Sequence, residues 1–377
     1  MKNVAIYANK INQLKNPIYG FNGIDSIDMN DVPIFCGLVE TKDIQFDKNS
    51  LQNQFKVLVK KTAFSCNYRD KAIIFEATIK SPEDSFFVVG SDFVGEVVDI
   101  GSEVIGLKIG DRVIANNAYP ESGVPGVIAG IPSNSESKEY QVFHQVKLMK
   151  IPRQIPDEVA AAFSIGAQTS YSIVRKLNPT KGANILVTAA KSNTSLFVIN
   201  ALKKYDVNIY ATTTSKLFED ELKALGVKEV ILVDSKANSL LENQSIQKIT
   251  AKTGGFNCVF DPFFDLYLEQ VVQLMAIGGK YITCGIYDQY CELINQPFTP
   301  SSSNLNRVIS YVMTNNLEII GNCIGLTEDL QNAIQDYVSG DLKVIIDSVF
   351  TGNQIGAFFE RTYNAKDRFG KVVYKYD

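Results

Sequence analysis

The stretch Asn184-Ile185-Leu186-Val187-Thr188-Ala189 decides the fold, because it is a compact apolar run of the kind that a strand covered on both faces requires. A helical pattern follows it, with Leu196, Ile199 and Leu202 on one face. Further strand-like runs follow at residues 207–212, 230–233, 257–261 and 280–284, and helical segments separate them. This alternation predicts right-handed βαβ units and a doubly wound parallel sheet.

The sequence before this region has a different rhythm. Residues 1–150 contain short alternating strands separated by turn residues, for example at 55–60 and 95–100. Residues 116–137 are rich in Asn, Pro, Gly and Ser, which predicts a long loop. The pattern favours an antiparallel, barrel-like unit, and the chain returns to small strands near its end.

Composition excludes several classes of protein. The chain has 377 residues, a formal net charge of −4 and no stripe of Lys and Arg, so neither nucleic acid nor an anionic membrane is an expected partner. We find no signal-peptide layout and no apolar run of about 18 residues, and we expect a cytoplasmic protein. The six cysteines lack CxxC spacing, and the single histidine, His144, lies in an alternating strand pattern.

Several motifs, in their order and spacing, resemble the medium-chain dehydrogenase/reductase superfamily. They are Gly90-Ser91-Asp92-Phe93-Val94-Gly95-Glu96-Val97-Val98, Gly110-Asp111-Arg112-Val113, Ala224-Leu225-Gly226-Val227, Phe260-Asp261-Pro262, Gly278-Gly279-Lys280-Tyr281 and Phe369-Gly370-Lys371-Val372-Val373. The resemblance covers nearly the whole chain.

The resemblance implies a Rossmann-type doubly wound parallel sheet and a GroES-like antiparallel β-barrel. We expect the GroES-like substrate domain at residues 1–155 and 325–377, and the dinucleotide-binding domain at residues 156–324. It also implies a homodimer that forms through edge pairing of the dinucleotide-binding domains. Residues 280–284 and their neighbours are one candidate edge.

Zinc-dependent members of the superfamily place catalytic ligands at three positions, which in this chain are Asn67, Ser91 and Ile165. These side chains cannot replace the sulfur and nitrogen donors that hold Zn²⁺. Cys66 is one position away from the ligand register. We therefore predict no metal ion.

The zinc-free branch, which includes quinone oxidoreductases and enoyl reductases, often has a sequence close to Asn67-Tyr68-Arg69-Asp70 at this place. We predict Tyr68 as the proton donor, because a phenol stays protonated at neutral pH. Asn67 is expected to bind the nicotinamide ribose or the substrate carbonyl, and Arg69 to pair with Asp70. In the alternative interpretation, Tyr68 is a packing residue and only Asn67 of the four lines the cleft. Ser91 and Asp92 are predicted to be scaffold.

The predicted phosphate-binding turn departs from the usual pattern. It reads Thr188-Ala189-Ala190-Lys191-Ser192-Asn193-Thr194-Ser195 and contains no glycine, although glycines normally let the backbone approach a pyrophosphate there. Ser192, Asn193, Thr194 and Ser195 are predicted to donate to the phosphates instead. The alternative is that they form only a helix cap.

The end of the second strand of this domain favours NADPH over NADH. An NAD-binding fold usually has an acid there, whereas this chain has Thr212-Thr213-Thr214-Ser215-Lys216. Hydroxyl groups and a lysine suit a 2′-phosphate, and we assign Thr213, Ser215 and Lys216 to the cofactor site, together with Thr169 and Gly285. A strand end followed by a helix cap is the alternative explanation.

The expected activity is hydride transfer from NADPH to a conjugated C=C in an enone, quinone, enoyl thioester or dehydroamino acid. The residue usage and the Ser-Asn-Thr-Ser loop also resemble lantibiotic-tailoring reductases, which convert dehydroalanine in a peptide to D-alanine. An insert at residues 16–31 and the loop at 116–137 would leave room for such a modified peptide. Two other interpretations stay open, an alcohol or carbonyl dehydrogenase and a nucleotide-binding protein without catalysis.

Overall fold

A computed structural model describes most of the chain, namely residues 1–8, 20–82, 85–234, 240–296 and 304–377. The chain divides into two compact units. The first contains Met1–Ile165, Tyr290–Gln296 and Val344–Asp377, and the second contains Gly166–Gln289 and Pro297–Lys343.

The second unit contains the doubly wound parallel sheet, which confirms the predicted fold class. Its strands are β10 (Asn184–Val187), β11 (Asn208–Thr213), β12 (Val227–Leu232), β13 (Phe256–Asp261), β14 (Met275–Thr283) and β15 (Glu318–Gly321). They are parallel and lie in the order β12-β11-β10-β13-β14-β15. The strand order reverses between β10 and β13, where such sheets bind ligands.

Helices separate these strands along the chain. They are α3 (Ser164–Leu177), α4 (Asn193–Leu202), α5 (Glu219–Ala224), α6 (Gln244–Thr253), α7 (Phe264–Val272), α8 (Leu305–Thr314) and α9 (Thr327–Ser339). Helix α4 follows the fold-deciding strand and is apolar over most of its surface, so that its residues from Ser195 to Leu202 are buried. The apolar run of β10 is buried as its pattern predicts.

The first unit is built mainly from antiparallel strands. One sheet has the order β2-β3-β1-β5, from β1 (Lys2–Tyr7), β2 (Gly20–Met29), β3 (Val32–Glu40) and β5 (Phe86–Val88). The other has the order β16-β17-β4-β6-β7-β9, with β8 also pairing with β4; its strands are β4 (Lys56–Ser65), β6 (Asp92–Ile100), β7 (Arg112–Ala115), β8 (Tyr140–His144), β9 (Leu148–Lys150), β16 (Ile346–Thr351) and β17 (Lys371–Lys375). Strand β4 alternates between buried and half-buried side chains along most of its length, as the period-two pattern predicts.

The described part of the first unit also contains the helices α1 (Tyr68–Lys80), α2 (Asp157–Ala160) and α10 (Ile355–Tyr363). His144 ends β8, and its Nδ1 accepts a hydrogen bond from the backbone N–H of Val146, so the imidazole caps a short 3₁₀ turn. In the parts of the chain that the structure describes, every helix is too short or too polar to cross a lipid bilayer.

The compact units divide at positions different from those predicted for the domains. The first division falls at residues 165/166 rather than 155/156, and the last falls at 343/344 rather than 324/325. Helix α9 accounts for the second difference, because its residues lie with the parallel sheet. Within the insert at 16–31, strand β2 begins at residue 20, and residues 16–19 lie outside the described residues.

The proposed sheet edge at residues 280–284 is wrong. Strand β14 pairs with β13 on one side and with β15 on the other, so it lies inside the sheet. Strand β15 is the edge strand on this side.

Candidate active site

The predicted tetrad at residues 67–70 forms the start of helix α1. Asn67 is the N-cap, and its backbone N–H donates to Asp70 Oδ2 over 2.7 Å. The Arg69 guanidinium lies 3.1 Å from the other carboxylate oxygen of Asp70. This local sequence therefore caps its own helix, because an acid at the third helical position satisfies an N–H that the helix leaves unpaired.

The side chain of Asn67 is held by neighbours from other elements. Its Nδ2 donates to Ser91 Oγ (3.0 Å) and to Asp92 Oδ2 (2.7 Å). Its Oδ1 accepts from Lys371 Nζ over 2.6 Å. Both amide protons and the amide oxygen are thus used inside the protein, and a contact from Asn67 to cofactor or substrate would compete with these bonds.

Lys371 is the residue at this site that sequence reasoning missed. It begins β17, is 1% exposed, and its ammonium lies 3.1 Å from Asp92 Oδ2. Asp92 Oδ1 accepts in turn from the backbone N–H of Ile165 over 2.8 Å. The available signal was a lysine directly before two valines in a strand, because a charge that such a strand buries requires a partner.

The residues at the three potential metal positions do not fit zinc. Asn67 and Ser91 are in hydrogen-bond contact, and Ile165 joins them through Asp92, so the fold brings the three positions together. They offer an amide, a hydroxyl and an alkyl group, whereas Zn²⁺ requires thiolate, imidazole or carboxylate ligands. Burial raises the pKa of the neighbouring Cys66 thiol well above its usual value, which keeps it protonated. Across the described ranges, no cluster of three or more His, Cys, Asp or Glu residues could hold a metal ion.

Tyr68 occupies the first position of α1 and is half-buried. Its hydroxyl lies 3.4 Å from the hydroxyl of Tyr290, which is 222 residues away in the sequence. Sequence reasoning had no signal for this contact, because nothing in the local pattern near Tyr290 predicts where it packs.

The glycine-free turn in the second unit has a conformation that glycine normally supplies. Ala189, directly after Thr188, has φ = +47°, in the left-handed region that side chains rarely adopt. Ser192 then caps α4, where its Oγ accepts from the backbone N–H of Ser195 over 3.1 Å. The Ser195 hydroxyl donates to the carbonyl of Thr188 (2.9 Å) and closes the turn.

The N-terminus of helix α4 and the side-chain amide of Asn193 are two features of this turn that fit a dinucleotide phosphate. The Asn193 Nδ2 is buried and has no hydrogen-bond partner among the described residues. It faces Gly166, where a Cβ atom would come within 2.9 Å of Asn193 Nδ2 and within 2.7 Å of the Phe197 ring. A helix N-terminus attracts anions, and an amide without a partner beside it is a further donor. Thr194 is the next residue of the helix, and its carbonyl accepts from Ser170 Oγ over 3.3 Å.

Asp261, at the end of β13, is a second residue that sequence reasoning did not assign to the site. It is fully buried and accepts hydrogen bonds from Thr188 Oγ1 (2.6 Å), Tyr281 OH (2.9 Å) and the Phe263 N–H (3.1 Å). Burial raises its pKa to about 7, although these hydrogen bonds act in the opposite direction. The bond to Thr188 ties the ends of β10 and β13 together where the strand order reverses.

The predicted 2′-phosphate residues lie at the carboxyl end of β11. Thr213 Oγ1 accepts from the Ser215 N–H over 3.3 Å and donates to the Ser215 carbonyl over 3.0 Å. The Lys216 side chain is 64% exposed, and its Nζ lies 3.9 Å from Glu219 Oε2. At this distance from a carboxylate, the ammonium is still accessible to a phosphate.

The remaining predicted cofactor residues have different environments. Thr169 is 5% exposed within helix α3. Gly285 follows β14, and a Cβ atom there would lie 2.7 Å from the carbonyl oxygen of Pro262. Because parallel strands end at the same edge of a sheet, the turn after β10, the segment after β11 and Gly285 all lie at that edge, whereas Thr169 is placed by a helix.

Comparisons with known proteins agree with this architecture. Residues 53–153 match the alcohol dehydrogenase GroES-like domain. A zinc-type alcohol dehydrogenase-like protein of Schizosaccharomyces pombe is 23% identical over 90% of this chain and 96% of its own length. An acryloyl-coenzyme A reductase of Metallosphaera sedula is 22% identical over 84% of this chain and 91% of its own length. Among solved structures, a crotonyl-CoA carboxylase/reductase superposes with a TM-score of 0.71 at 18% identity, covering 100% of this chain and 88% of its own; this likeness concerns the fold alone.

Proposed function

From the premise that the chain belongs to the medium-chain dehydrogenase/reductase superfamily and is an oxidoreductase, we propose that it is a cytoplasmic, zinc-free, NADPH-dependent reductase of conjugated C=C bonds. The observation that carries the proposal is the donor set at the three metal positions. Asn67, Ser91 and Ile165 themselves offer no zinc ligand, and the carboxylate that joins them, Asp92, is already paired with the Lys371 ammonium.

The second unit offers residues to hold the cofactor. In this proposal, the N-terminus of α4 with Ser192, Asn193, Thr194 and Ser195 binds the pyrophosphate, and Lys216 with Thr213 and Ser215 binds the 2′-phosphate. Thr169 and Gly285 complete the proposed set. The bound cofactor supplies a hydride to the acceptor.

Tyr68 supplies the proton in the proposed reaction. Hydride addition to the β-carbon of a conjugated alkene leaves negative charge on the α-carbon and carbonyl, and a protonated phenol can donate its proton to such a centre. Asn67 and Lys371 act indirectly in this proposal. They hold the start of α1 in place and thereby orient the Tyr68 side chain. Arg69 pairs with Asp70 and fixes the same turn.

A conjugated alkene suits this site better than a ketone. Reduction of a ketone requires strong stabilisation of an alkoxide, commonly by a metal ion. The similarity to an acryloyl-coenzyme A reductase supports an alkene acceptor. We include dehydroalanine in a lantibiotic peptide among the proposed acceptors, because it is also a conjugated C=C.

An alcohol dehydrogenase is the second candidate function, since one relative is named as a zinc-type alcohol dehydrogenase-like protein. This candidate predicts bound metal and oxidation of alcohols. The proposed reductase predicts neither.

The test is NADPH oxidation by the purified protein with enones, quinones, an enoyl thioester and a dehydroalanine peptide, followed by metal analysis. We expect turnover of at least one alkene without stoichiometric zinc and without inhibition by a chelator. Tyr68→Phe should lower kcat by about 10²-fold or more while NADPH affinity stays the same, as loss of a general acid requires. Tyr140→Phe, on β8 and outside the site, is the matched control. Alcohol oxidation that requires zinc, or full activity of Tyr68→Phe, would contradict the proposal.

A further inference from the structure

A short segment after strand β14 leaves the second unit and packs within the first unit. Tyr290–Gln296 belongs to that unit, and its Tyr290 and Cys291 are 4% and 5% exposed in the apolar core. Gln296 fastens its end, because its Nε2 donates to the Asn30 carbonyl over 2.9 Å. The segment therefore has a defined place against helix α1.

Tyr290 lies behind Tyr68. The two hydroxyl oxygens are 3.4 Å apart, and the ring centroids are 6.3 Å apart with an angle of 55° between the planes. The Tyr290 ring also packs on Phe75 of α1 at a centroid distance of 5.2 Å. Tyr68 is half-buried and Tyr290 is 4% exposed, so Tyr68 is the more accessible of the two phenols.

A buried ammonium faces the inner phenol. Lys71, on α1, is 5% exposed, and its Nζ lies 4.8 Å from the centroid of the Tyr290 ring. It donates to Asn30 Oδ1 over 2.5 Å, and within the described ranges no carboxylate pairs with it. Burial lowers the pKa of Lys71 to about 8.

The buried position of the Lys71 ammonium lowers the stability of the folded protein. An ammonium that loses its hydration and receives only an amide oxygen and aromatic faces in return destabilises the folded state. Buried, weakly compensated cations beside hydroxyl groups are characteristic of sites where negative charge appears during a reaction. Here the phenol nearest to the charge contacts the proposed proton donor.

We propose that Tyr290 and Lys71 are positioning residues that act through Tyr68 in the proposed alkene reduction, and the inference rests on that function. The Tyr68 O–H bond breaks as a C–H bond forms at the α-carbon of the acceptor. The Tyr290 O–H bond then breaks and restores the Tyr68 phenol. The ammonium of Lys71 stabilises the phenolate left on Tyr290 until a solvent proton neutralises it. Only protons move in these steps.

A double-mutant cycle with steady-state kinetics tests the relay. We expect Tyr290→Phe to lower kcat on the order of tenfold, a part of the ~10²-fold or more that a general acid contributes, with KM for alkene and NADPH unchanged. In a Tyr68→Phe background, Tyr290→Phe should cause no further loss, because it acts only through Tyr68. Equal fold-losses in both backgrounds, or no loss from Tyr290→Phe, would overturn the proposal.

Lys71→Met should also lower kcat without changing KM, and Lys71→Arg, which keeps the charge, should recover part of the loss. The chain provides a matched control pair in the same unit, because Lys60 Nζ lies 5.8 Å from the centroid of the Tyr140 ring, and these two residues belong to β4 and β8 rather than to α1. Lys60→Met and Tyr140→Phe should leave both constants unchanged. A loss of the same size in these controls would show that the effect is general to the unit, and the relay would be rejected.

Fluorine NMR of protein labelled with 3-fluorotyrosine separates failure of the relay from failure of the proposed function. The Tyr290 resonance, assigned from its absence in Tyr290→Phe, should shift in both Lys71→Met and Tyr68→Phe, whether or not the wild type reduces alkenes. A stationary resonance would overturn the proposed coupling. If the resonance shifts but no alkene is reduced by the wild type, the proposed function fails and the proton-relay role fails with it.

Discussion

At the residue scale, the need to pair buried charges explains most of the first-unit site. Asp92 accepts from Lys371, Asn67 and Ile165, and none of its carboxylate is exposed. Removing one partner of a buried ion pair leaves an uncompensated charge and typically costs 3–5 kcal/mol, which is why such residues act as a unit. Asn67 is thus a structural link between helix α1 and β17, and the half-buried Tyr68 follows it in the chain.

Also at the residue scale, the raised pKa of Asp261 predicts how the stability of the protein changes with pH. Its pKa in the folded chain is about 7, whereas an unfolded Asp titrates near 3.9. The folded state therefore binds the proton more tightly, so the stability that this group contributes is complete below about pH 4 and is lost as pH rises through about 7. Asp261→Asn keeps the acceptor for Thr188 and removes the titration.

Thermal midpoints of wild type and Asp261→Asn between about pH 4 and pH 7 measure this effect. We expect the wild type to lose stability relative to the variant as the pH rises across that range. Two curves that run parallel would show that Asp261 titrates at the same pH in the folded and unfolded chains, contrary to this prediction.

At the element scale, the turn from β10 to α4 shows how a left-handed backbone position can form without glycine. Ala189 adopts the left-handed conformation at an energetic cost of the order of 1 kcal/mol for a non-glycine residue. The serine cap and the bond from Ser195 to the Thr188 carbonyl hold the turn in that shape. Hydrogen bonds from side-chain hydroxyls thereby stabilise a turn conformation that glycine adopts without strain in glycine-rich turns.

Lys216, after β11, provides the element-scale prediction. Lys216→Ala should weaken NADPH binding by about tenfold or more, the contribution of a charge-assisted hydrogen bond, and should leave NADH binding nearly unchanged. Titration of cofactor fluorescence measures both affinities, and a chain without tryptophan adds little background. Lys228→Ala, an exposed lysine on β12, is the control. Equal losses for the two cofactors would argue against a 2′-phosphate contact.

At the scale of the whole molecule, the exposed surface beside the edge strand favours a homodimer. Strand β15 is at one edge of the parallel sheet, and its Ile319 is 41% exposed. Helix α8 presents Leu305, Ile309 and Met313 to solvent at 67%, 43% and 72% exposure, at a spacing of four residues. Open sheet edges and apolar helical stripes are both typical places for a second copy of a chain to pair, and we predict a homodimer that uses these surfaces.

The dimer prediction can be tested by light scattering. We expect wild type at micromolar concentration to have twice the chain mass of 41.7 kDa, and the double variant Ile309→Glu with Met313→Glu to have the mass of one chain. Leu51→Glu alters an 83% exposed residue in the other unit and should leave the dimer intact. A wild type that is monomeric, or a double variant that stays dimeric, would contradict this assembly.

Much of the fold could be predicted from local patterns. The period-two alternation of β4 and the apolar run of β10 depend on burial alone, and both strands formed where their residues predicted. The strands at 207–212 and 257–261 formed within one residue of their predicted ends, as β11 and β13. The edge of the sheet could not be predicted in this way, because pairing partners are chosen by topology rather than by a strand's own sequence.

Residue type and spacing were enough to predict the alternation of strands and helices, the lack of zinc donors at Asn67, Ser91 and Ile165, and a turn without glycine. Only the tertiary structure decided that Lys371 lies against Asp92, that Asp261 holds Thr188 and that Tyr290 stands behind Tyr68. These partners are far apart along the chain. Their meeting depends on how strands and segments pack around a core, and local periodicity contains no information about that packing.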